Sequence, residues 1–402
     1  TQGSALARAD EVPAQARRLA LAVVVCHWSG QPTESARGMD PMTTLLVVQS
    51  YIPEYRAPFF EELDTRLRAL GVNLVLGLGR DTTERGDAVG TSVATIAMPD
   101  RLGRLTGDRL RWRPMPHRGS RPDAVITEFA AKNLETWPMV VTRGPLAVWG
   151  HANLGWDTSL LLRRADWFFA YTQPVAEAVT RAGFPAQRVT VVNNSIDTRS
   201  LLRHLHELDA SDVEEFRARQ GLTQGRTALF VGGLDEAKGV DYLLRAAAAA
   251  GRLDEDFRWV VAGEGPSAAK VRQARTEGIP VVPVGRMTGR DKALVLASCD
   301  VIAMPSAVGL VAVDALAAGR PVVTRENCGH GPEADYLDRV RQSVFVPRQT
   351  SPSAFARDLV TLLHDHDRLA TMSAACRADA TRYGVQEMAD RFAAGVRGWL
   401  GV

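Results

Sequence analysis

The run VIAMPSAVGLVAVDALAAGRPVV, from Val301 to Val323, restricts the fold more than any other part of the chain. Val301 to Met304 read as a short apolar strand, and Pro305-Ser306 breaks it. A helix opens at Gly309 and stops at Gly319, and a second strand follows from Pro321 to Thr324. Leu310, Val313 and Ala317 recur at helical spacing and mark the buried face of that helix. Asp314 falls between them and is the only charged residue from Val301 to Gly319. A carboxylate on a largely apolar face is costly unless something hydrogen-bonds it. Either a neighbouring backbone N–H or an arginine satisfies it, or it accepts two hydroxyls of a bound sugar or ribose.

Gly309 bears on that choice. With no Cβ it lets a ligand approach the backbone, and the first N–H groups of the helix lack intrahelical partners at its positive end. Such an end favours an anion, above all a phosphate. A phosphate at Gly309 and a hydroxyl at Asp314 together describe a nucleotide gripped by one helix, although many strand-to-helix turns need a glycine for geometry only.

The same alternation runs through most of the 402 residues, a length that fits two or three domains with sizeable cores. The formal net charge of +2 gives no global reason to expect nucleic acid or a strongly acidic partner. Cys26, Cys299, Cys328 and Cys376 are scattered without CxxC pairs and read as free thiols, neither a zinc site nor a disulfide frame. No apolar run is long enough to span a bilayer. Arg17 and Arg18 precede the apolar run Leu19 to Cys26 in the rough shape of a secretory leader. His27, Trp28 and Ser29 follow where small cleavage-site residues belong, so residues 1–40 are expected to be an extension outside the fold.

Residues 41–200 read as a first α/β domain. Its first strand runs from Thr44 to Gln49, and the helix from Arg56 to Leu70 buries Phe59, Phe60, Leu63 and Leu67. The loop between them carries Tyr55 and Arg56 at the carboxyl end of the strand, where open parallel sheets bind ligands. A strand from Leu146 to Trp149 ends in Gly150, His151, Ala152 and Asn153, which places a histidine in the same layer. Further strands are expected from Arg164 to Ala170 and from Arg188 to Asn193. Arg101, Arg104, Arg109, Arg111, Arg113, Arg118 and Arg121 surround Trp112. They read as a solvated basic segment or as a contact for anionic lipid headgroups or a phosphorylated acceptor.

The charged stretch Asp197 to Thr223 reads as a linker into a second α/β domain, residues 201–380, with a C-terminal helix in residues 381–402 returning toward the first. After the strand Thr227 to Gly232, the turn Gly232-Gly233-Leu234-Asp235-Glu236-Ala237-Lys238-Gly239 sets an ammonium beside a helix start. It lacks the P-loop frame. Lys238 either neutralises a diphosphate or pairs with Glu236 in solvent.

In order, FVGGLDEAKGVDYLLRA, VVAGEGP, DVIAMPSAVGLVAVDALAAGRPVV and GHGPE resemble the family-four (group 1) retaining glycosyltransferases of GT-B fold. YRAPFFEEL, VWGHAN, ADWFFAYT and VTVVNNSIDT resemble the first half of members acting on polysaccharide or lipid-linked acceptors. The resemblance implies two doubly wound, Rossmann-like parallel-sheet domains facing a cleft. It implies transfer of a sugar, with retained anomeric configuration, from a UDP- or GDP-sugar to a glycan or lipid-linked acceptor. The nucleotide sugar is then a substrate; no cofactor, metal or nucleic acid is expected, and the location is cytoplasmic, with peripheral contact at the inner membrane face. Lys238 and His151 become the catalytic residues. Gly232, Gly233, Lys238, Gly285, Arg286, Gly309, Leu310 and Asp314 bind the donor, and Tyr55, Arg56, His151 and Asn153 the acceptor.

Three departures accompany the likeness. Gly233 stands where many relatives have an arginine, the glutamate expected shortly after Pro305-Ser306 is missing, and its partner has become Asp314, one methylene shorter. A catalytically silent GT-B protein that binds nucleotide or glycan as a partner subunit is therefore the second reading. A nucleotide-sugar epimerase on the same fold fits the ordered motifs less well.

Overall fold

The computed structural model describes residues 42–79, 91–98, 100–101, 111–114, 122–130, 132–134, 136, 144–151 and 156–402. The expectations for residues 1–40, for Asn153 and for Arg104, Arg109, Arg118 and Arg121 lie outside the described residues.

The first sheet is built from β1 (Thr43–Gln49), α1 (Ala57–Ala69), β2 (Val72–Leu78), β3 (Ala94–Ala97), β4 (Ala124–Glu128), β5 (Leu146–Gly150), α2 (Trp156–Arg164), β6 (Trp167–Ala170), α3 (Gln173–Arg181) and β7 (Val189–Val191). Its seven strands lie in the order β3-β2-β1-β4-β5-β6-β7, all parallel. Leu45 to Val48 are buried in succession, as a strand covered by helices on both faces must be. The strand expected from Arg164 is shorter than the sequence implied. Arg164 closes α2 and reaches back to the Gly144 carbonyl at 3.3 Å, so pairing begins only at Trp167. The basic stretch is also not uniformly solvated. Arg113 is buried, and Arg111 and Arg113 both donate to Ser50 Oγ, at 2.6 and 3.2 Å, just past β1.

The second domain contains α4 (Thr198–His206), α5 (Ala210–Gln220), β8 (Thr227–Val231), α6 (Val240–Leu253), β9 (Arg258–Ala262), α7 (Ala268–Thr276), β10 (Val281–Gly285), α8 (Gly289–Ser298), β11 (Val301–Met304), α9 (Val311–Ala318), β12 (Val322–Arg325), β13 (Ser343–Val346), α10 (Pro352–His364) and α11 (His366–Asp379). Its six parallel strands lie in the order β10-β9-β8-β11-β12-β13. The stretch read as a linker is α4 and α5. Leu201, Phe216 and Leu222 join the core of this domain, because the apolar face of each helix docks on it.

The last helix, α12 (Val385–Leu400), crosses back, and its Val385, Met388, Phe392 and Val396 lie in the core under β1 and α1. The outgoing and returning chains run side by side, with Ile196 and Gly384 in a parallel bridge and Ser195 Oγ donating to the Tyr383 carbonyl. The carboxyl ends of the two sheets face each other: Arg286, just past β10, bonds Glu54, in the loop after β1, at 2.9 Å. Among the described residues no helix is long and apolar enough to cross a membrane.

Candidate functional site

The winding of the second sheet reverses between β8 and β11, which pair directly through Val301↔Ala228 and Ile302↔Leu229. The crevice beyond their carboxyl ends is where open α/β sheets take ligands. Two loops meet there. In the first, Asp235 Oδ1 accepts the Lys238 N–H at 3.0 Å and closes a short turn over Glu236–Lys238. Gly239 then takes φ +66°, which side-chain-bearing residues avoid, and sends the chain into α6. The base of the loop is fixed against the turn after β9. A Cβ on Gly263 would stand 1.9 Å from the Gly232 carbonyl oxygen, so only glycine permits this approach.

The second loop runs from Pro305 to Leu310. Ser306 Oγ donates to the Lys238 carbonyl at 2.6 Å, joining the two loops. Lys238 is half-buried, and no carboxylate among the described residues lies within ion-pair distance of its ammonium, so the alternative pairing with Glu236 is not made. The α9 helix begins at Val311 with Leu310 as its cap, two residues later than Gly309. The N–H groups of Gly309 and Leu310 meet no acceptor among the described residues. The two loops, joined through Ser306, carry an ammonium and two amides without partners among the described residues, the chemistry an anion would need.

His330 holds the second loop. Its Nδ1 accepts the Val308 N–H at 3.1 Å, which leaves the proton on Nε2, bonded to the Arg325 carbonyl at 2.8 Å. Burial lowers the pKa of this ring, and the Arg339 guanidinium adds to the effect, while the bond to Arg325 works against it. The two bonds require the neutral tautomer.

Asp314 is buried on α9, and its Oδ1 accepts from Lys292 Nζ on α8 at 2.7 Å. The partner is thus a lysine rather than the arginine or backbone amide weighed from the sequence. Burial raises the carboxyl pKa and the Lys292 ammonium opposes it. Asp314 Oδ2 has no donor among the described residues. At the rim, Gly285 takes φ +75° at the end of β10, followed by Arg286 with its bond to Glu54.

The first domain supplies the facing wall. Tyr55 is exposed. Arg56 is buried, lies over the Trp149 ring at 4.9 Å, and donates from Nη1 to Asn194 Oδ1 at 2.8 Å. It therefore organises the wall from beneath. His151 is surface-exposed past β5, with its ring edge-on to Tyr171 at 4.5 Å. The protein packed behind it desolvates the ring and lowers its pKa, which favours the neutral imidazole; Glu333 opposes this and Arg56 reinforces it.

Sequence reasoning missed Asn194 and Glu333. Asn194 Nδ2 donates to Glu333 Oε1 at 2.5 Å, and Tyr336 Oη bonds the Asn194 and Tyr171 carbonyls at 3.0 and 3.2 Å. These residues belong to different domains and lie 139 positions apart in the case of Asn194 and Glu333, so no local pattern joins them. The only signals were the motifs that hold them, VTVVNNSIDT for Asn194 and GHGPE for Glu333. Among the described residues no group of three or more His, Cys, Asp or Glu gathers as a metal site.

Comparison with known proteins agrees with this geometry. Residues 225–365 match the family model of the glycosyl transferases group 1. A 2-deoxystreptamine glucosyltransferase of Streptomyces kanamyceticus is 30% identical over 214 residues, 51% of this chain and 53% of the relative. A D-inositol 3-phosphate glycosyltransferase of Xylanimonas cellulosilytica is 32% identical over 240 residues, 56% and 55% of the two. The chain spans about half the length of the curated relatives it matches. Among solved structures, Anabaena HepE in complex with UDP superposes with a TM-score of 0.64 at 18% identity, covering 88% of this chain and 99% of HepE. Sucrose-phosphate synthase from Thermosynechococcus elongatus gives 0.64 at 17% identity over 89% and 99%. The two facing parallel sheets are the GT-B fold, and the match to the glycosyl transferases group 1 model falls on residues 225–365, within the second domain and its switch point.

Proposed function

We propose that this chain transfers a sugar from a nucleoside-diphosphate donor, a UDP- or GDP-sugar, to a glycan or lipid-linked acceptor, with retained anomeric configuration and without a metal ion. The observation that carries the proposal is the unpaired Lys238 ammonium on a turn bonded through Ser306 to the loop of free amides at Gly309 and Leu310. Charge builds on the diphosphate as the glycosidic bond breaks, and a cation and amides fixed beforehand stabilise it without reorganising. Gly232 and Gly233 shape the near wall of this cradle, Asp314 Oδ2 takes the ribose hydroxyls, and Gly285 with Arg286 borders the base. His151, neutral and facing the cleft, takes its place by the transferred sugar and the acceptor, with Tyr55 and Arg56 on the acceptor side.

Support comes from the glycosyltransferase names of the curated relatives and from HepE, solved with UDP and with UDP-glucose. Peripheral attachment to the inner membrane face through the Arg101 to Arg121 stretch belongs to the same proposal. Arg113, being buried, has no part in it. The silent-subunit reading draws on Gly233 in place of a cation and on the absence of any acidic side chain from Pro305 to Gly309.

The test is binding followed by turnover. UDP or GDP should raise the unfolding temperature saturably. The matching nucleotide sugar should be hydrolysed or transferred at the same rate with and without EDTA. Binding without turnover across a panel of donors and acceptors favours the silent subunit, and no nucleotide binding refutes the transferase reading together with a nucleotide-binding subunit.

A further inference from the structure

The loop from Pro305 to Gly309 offers no carboxylate to a sugar attached to the diphosphate, yet the structure places one at that spot from elsewhere in the chain. Glu333 lies on a short turn over Pro332–Tyr336, after β12. It is only 5% exposed, and its Oε2 lies 3.8 Å from where a Cβ on Gly309 would stand. A Cβ on Gly331 would meet Oε2 at 2.6 Å and Gly309 Cα at 3.2 Å, so the two glycines form the notch that receives the carboxylate. Only Oε1 is bonded, to Asn194 Nδ2 at 2.5 Å, and Oε2 has no donor among the described residues. Oε2 is not among the fully buried polar atoms that lack a partner, so it stays open to a ligand hydroxyl that could donate to it.

The groups around it fit a sugar. Glu333 acts electrostatically on Arg56, His151, Tyr171 and Tyr336, which places it where the two domains meet. Arg56 donates to Asn194 Oδ1, so the Asn194 amide can only turn its NH2 toward Glu333. Asn194 and Arg56 belong to the first domain. The carboxylate is therefore oriented across the cleft, and its geometry is complete only when the domains are together.

We propose that Glu333 is the acceptor for hydroxyl groups of the sugar carried by the nucleoside diphosphate, and that Asn194, aligned by Arg56, is its positioning residue. This rests on the donor reading of the Lys238 and Gly309 cradle. It replaces the absent loop glutamate with a residue 24 positions past Gly309, presented to the same helix end.

The test compares dissociation constants for UDP, GDP and their glucose, N-acetylglucosamine and mannose conjugates in the full chain and in Glu333→Gln. The readout is the ratio of conjugate to parent diphosphate. It should rise about 10- to 100-fold in Glu333→Gln, the loss expected for hydrogen bonds to a charged group, with the diphosphate constant unchanged. Asn194→Ala should raise the ratio in the same direction, which a purely structural contact would not do. Thermal unfolding checks the fold of each variant, and Glu333→Asp, which keeps the charge but withdraws it, replaces Glu333→Gln if that variant fails to fold. An unchanged ratio overturns the proposal, as does equal weakening of conjugate and diphosphate. Failure of the full chain to bind any nucleoside diphosphate instead refutes the donor reading, and this inference with it.

Discussion

Ser306 Oγ donates a hydrogen bond of 2.6 Å to the carbonyl of Lys238, joining the loops after β8 and β11 at the point where the second sheet reverses its winding. The backbone that carries Lys238 and the loop that carries the Gly309 and Leu310 amides are thus held in one frame rather than on independent loops. Lys238→Ala removes the cation and should abolish turnover with the unfolding temperature unchanged. Ser306→Ala keeps the cation but releases its turn. A neutral hydrogen bond contributes about 1 kcal/mol, so UDP or GDP should bind roughly fivefold more weakly. Calorimetry of both variants separates charge from placement; equal losses would contradict the proposed frame.

Gly233 is the one glycine of that turn with no geometric need to be glycine. It is exposed, its φ is not positive, and a Cβ there would meet nothing closer than Asp235 Oδ2 at 3.6 Å. Gly233→Arg should therefore fold normally and bring a second cation to the cradle. At an exposed position the gain is modest, about three- to tenfold in diphosphate affinity, and it should shrink as salt is raised. Affinity that does not change at low ionic strength would place the diphosphate elsewhere.

Asp314 is held by Lys292 through one oxygen and offers the other. If Oδ2 takes the ribose, the wild-type chain should prefer a nucleoside diphosphate to its 2′-deoxy form, and Asp314→Ala should erase that preference. Lys292→Met leaves a buried carboxylate unpaired, which typically costs about 3–5 kcal/mol. The lysine keeps 27% side-chain exposure, so about half of that is expected here, read from the urea midpoint.

Most strands and helix faces, though not all of their ends, were legible in the sequence because they depend on local pattern. Leu45 to Val48 announce a covered strand, and Phe59, Phe60, Leu63 and Leu67 announce a helix face. The glycines at 232, 309 and 319 fell at turns that the structure confirms. The edge strands β3 and β13 escaped notice because each has four residues and neither is fully buried. Of the candidate site, Gly309 and Asp314 stand out in the sequence by residue type in an apolar run, and Lys238 by its place at a glycine-flanked helix start. Arg56, Asn194 and Glu333 act through contacts made between domains, and a buried arginine reads in sequence like any exposed one.

His330 gives the pH dependence a sign. Burial lowers its pKa, so the folded protein binds fewer protons than the unfolded chain once pH falls below about 6.5. Stability then rises with pH. The contribution is complete above the free-imidazole value and is lost as pH falls through it. His151 is shifted in the same direction and adds to the slope. The urea midpoint should fall from pH 7.5 to 5.5, and the difference should be smaller in His330→Ala, which has no ring to protonate against the Val308 N–H. An undiminished difference would show that the ring does not hold the loop as the bonds imply.

The returning helix α12 makes the first domain depend on the far end of the chain. Phe392 is fully buried, stacks on Phe169 with ring centroids 4.2 Å apart, and stands edge-on to Trp149 and Phe59 at 5.2 and 5.6 Å. Trp149 in turn lies under the Arg56 guanidinium, which sets Asn194. Phe392→Ala should cost about 3–5 kcal/mol, a transfer loss plus the cavity left among large rings that cannot close over it. Because the damage lies beneath the first-domain wall, nucleoside-diphosphate affinity, set by the second domain, should survive at temperatures where the variant remains folded. Turnover with the acceptor should fall. Calorimetry and initial rates measured below the unfolding transition would separate the two, and a parallel loss of diphosphate binding would contradict the division of labour between the sheets.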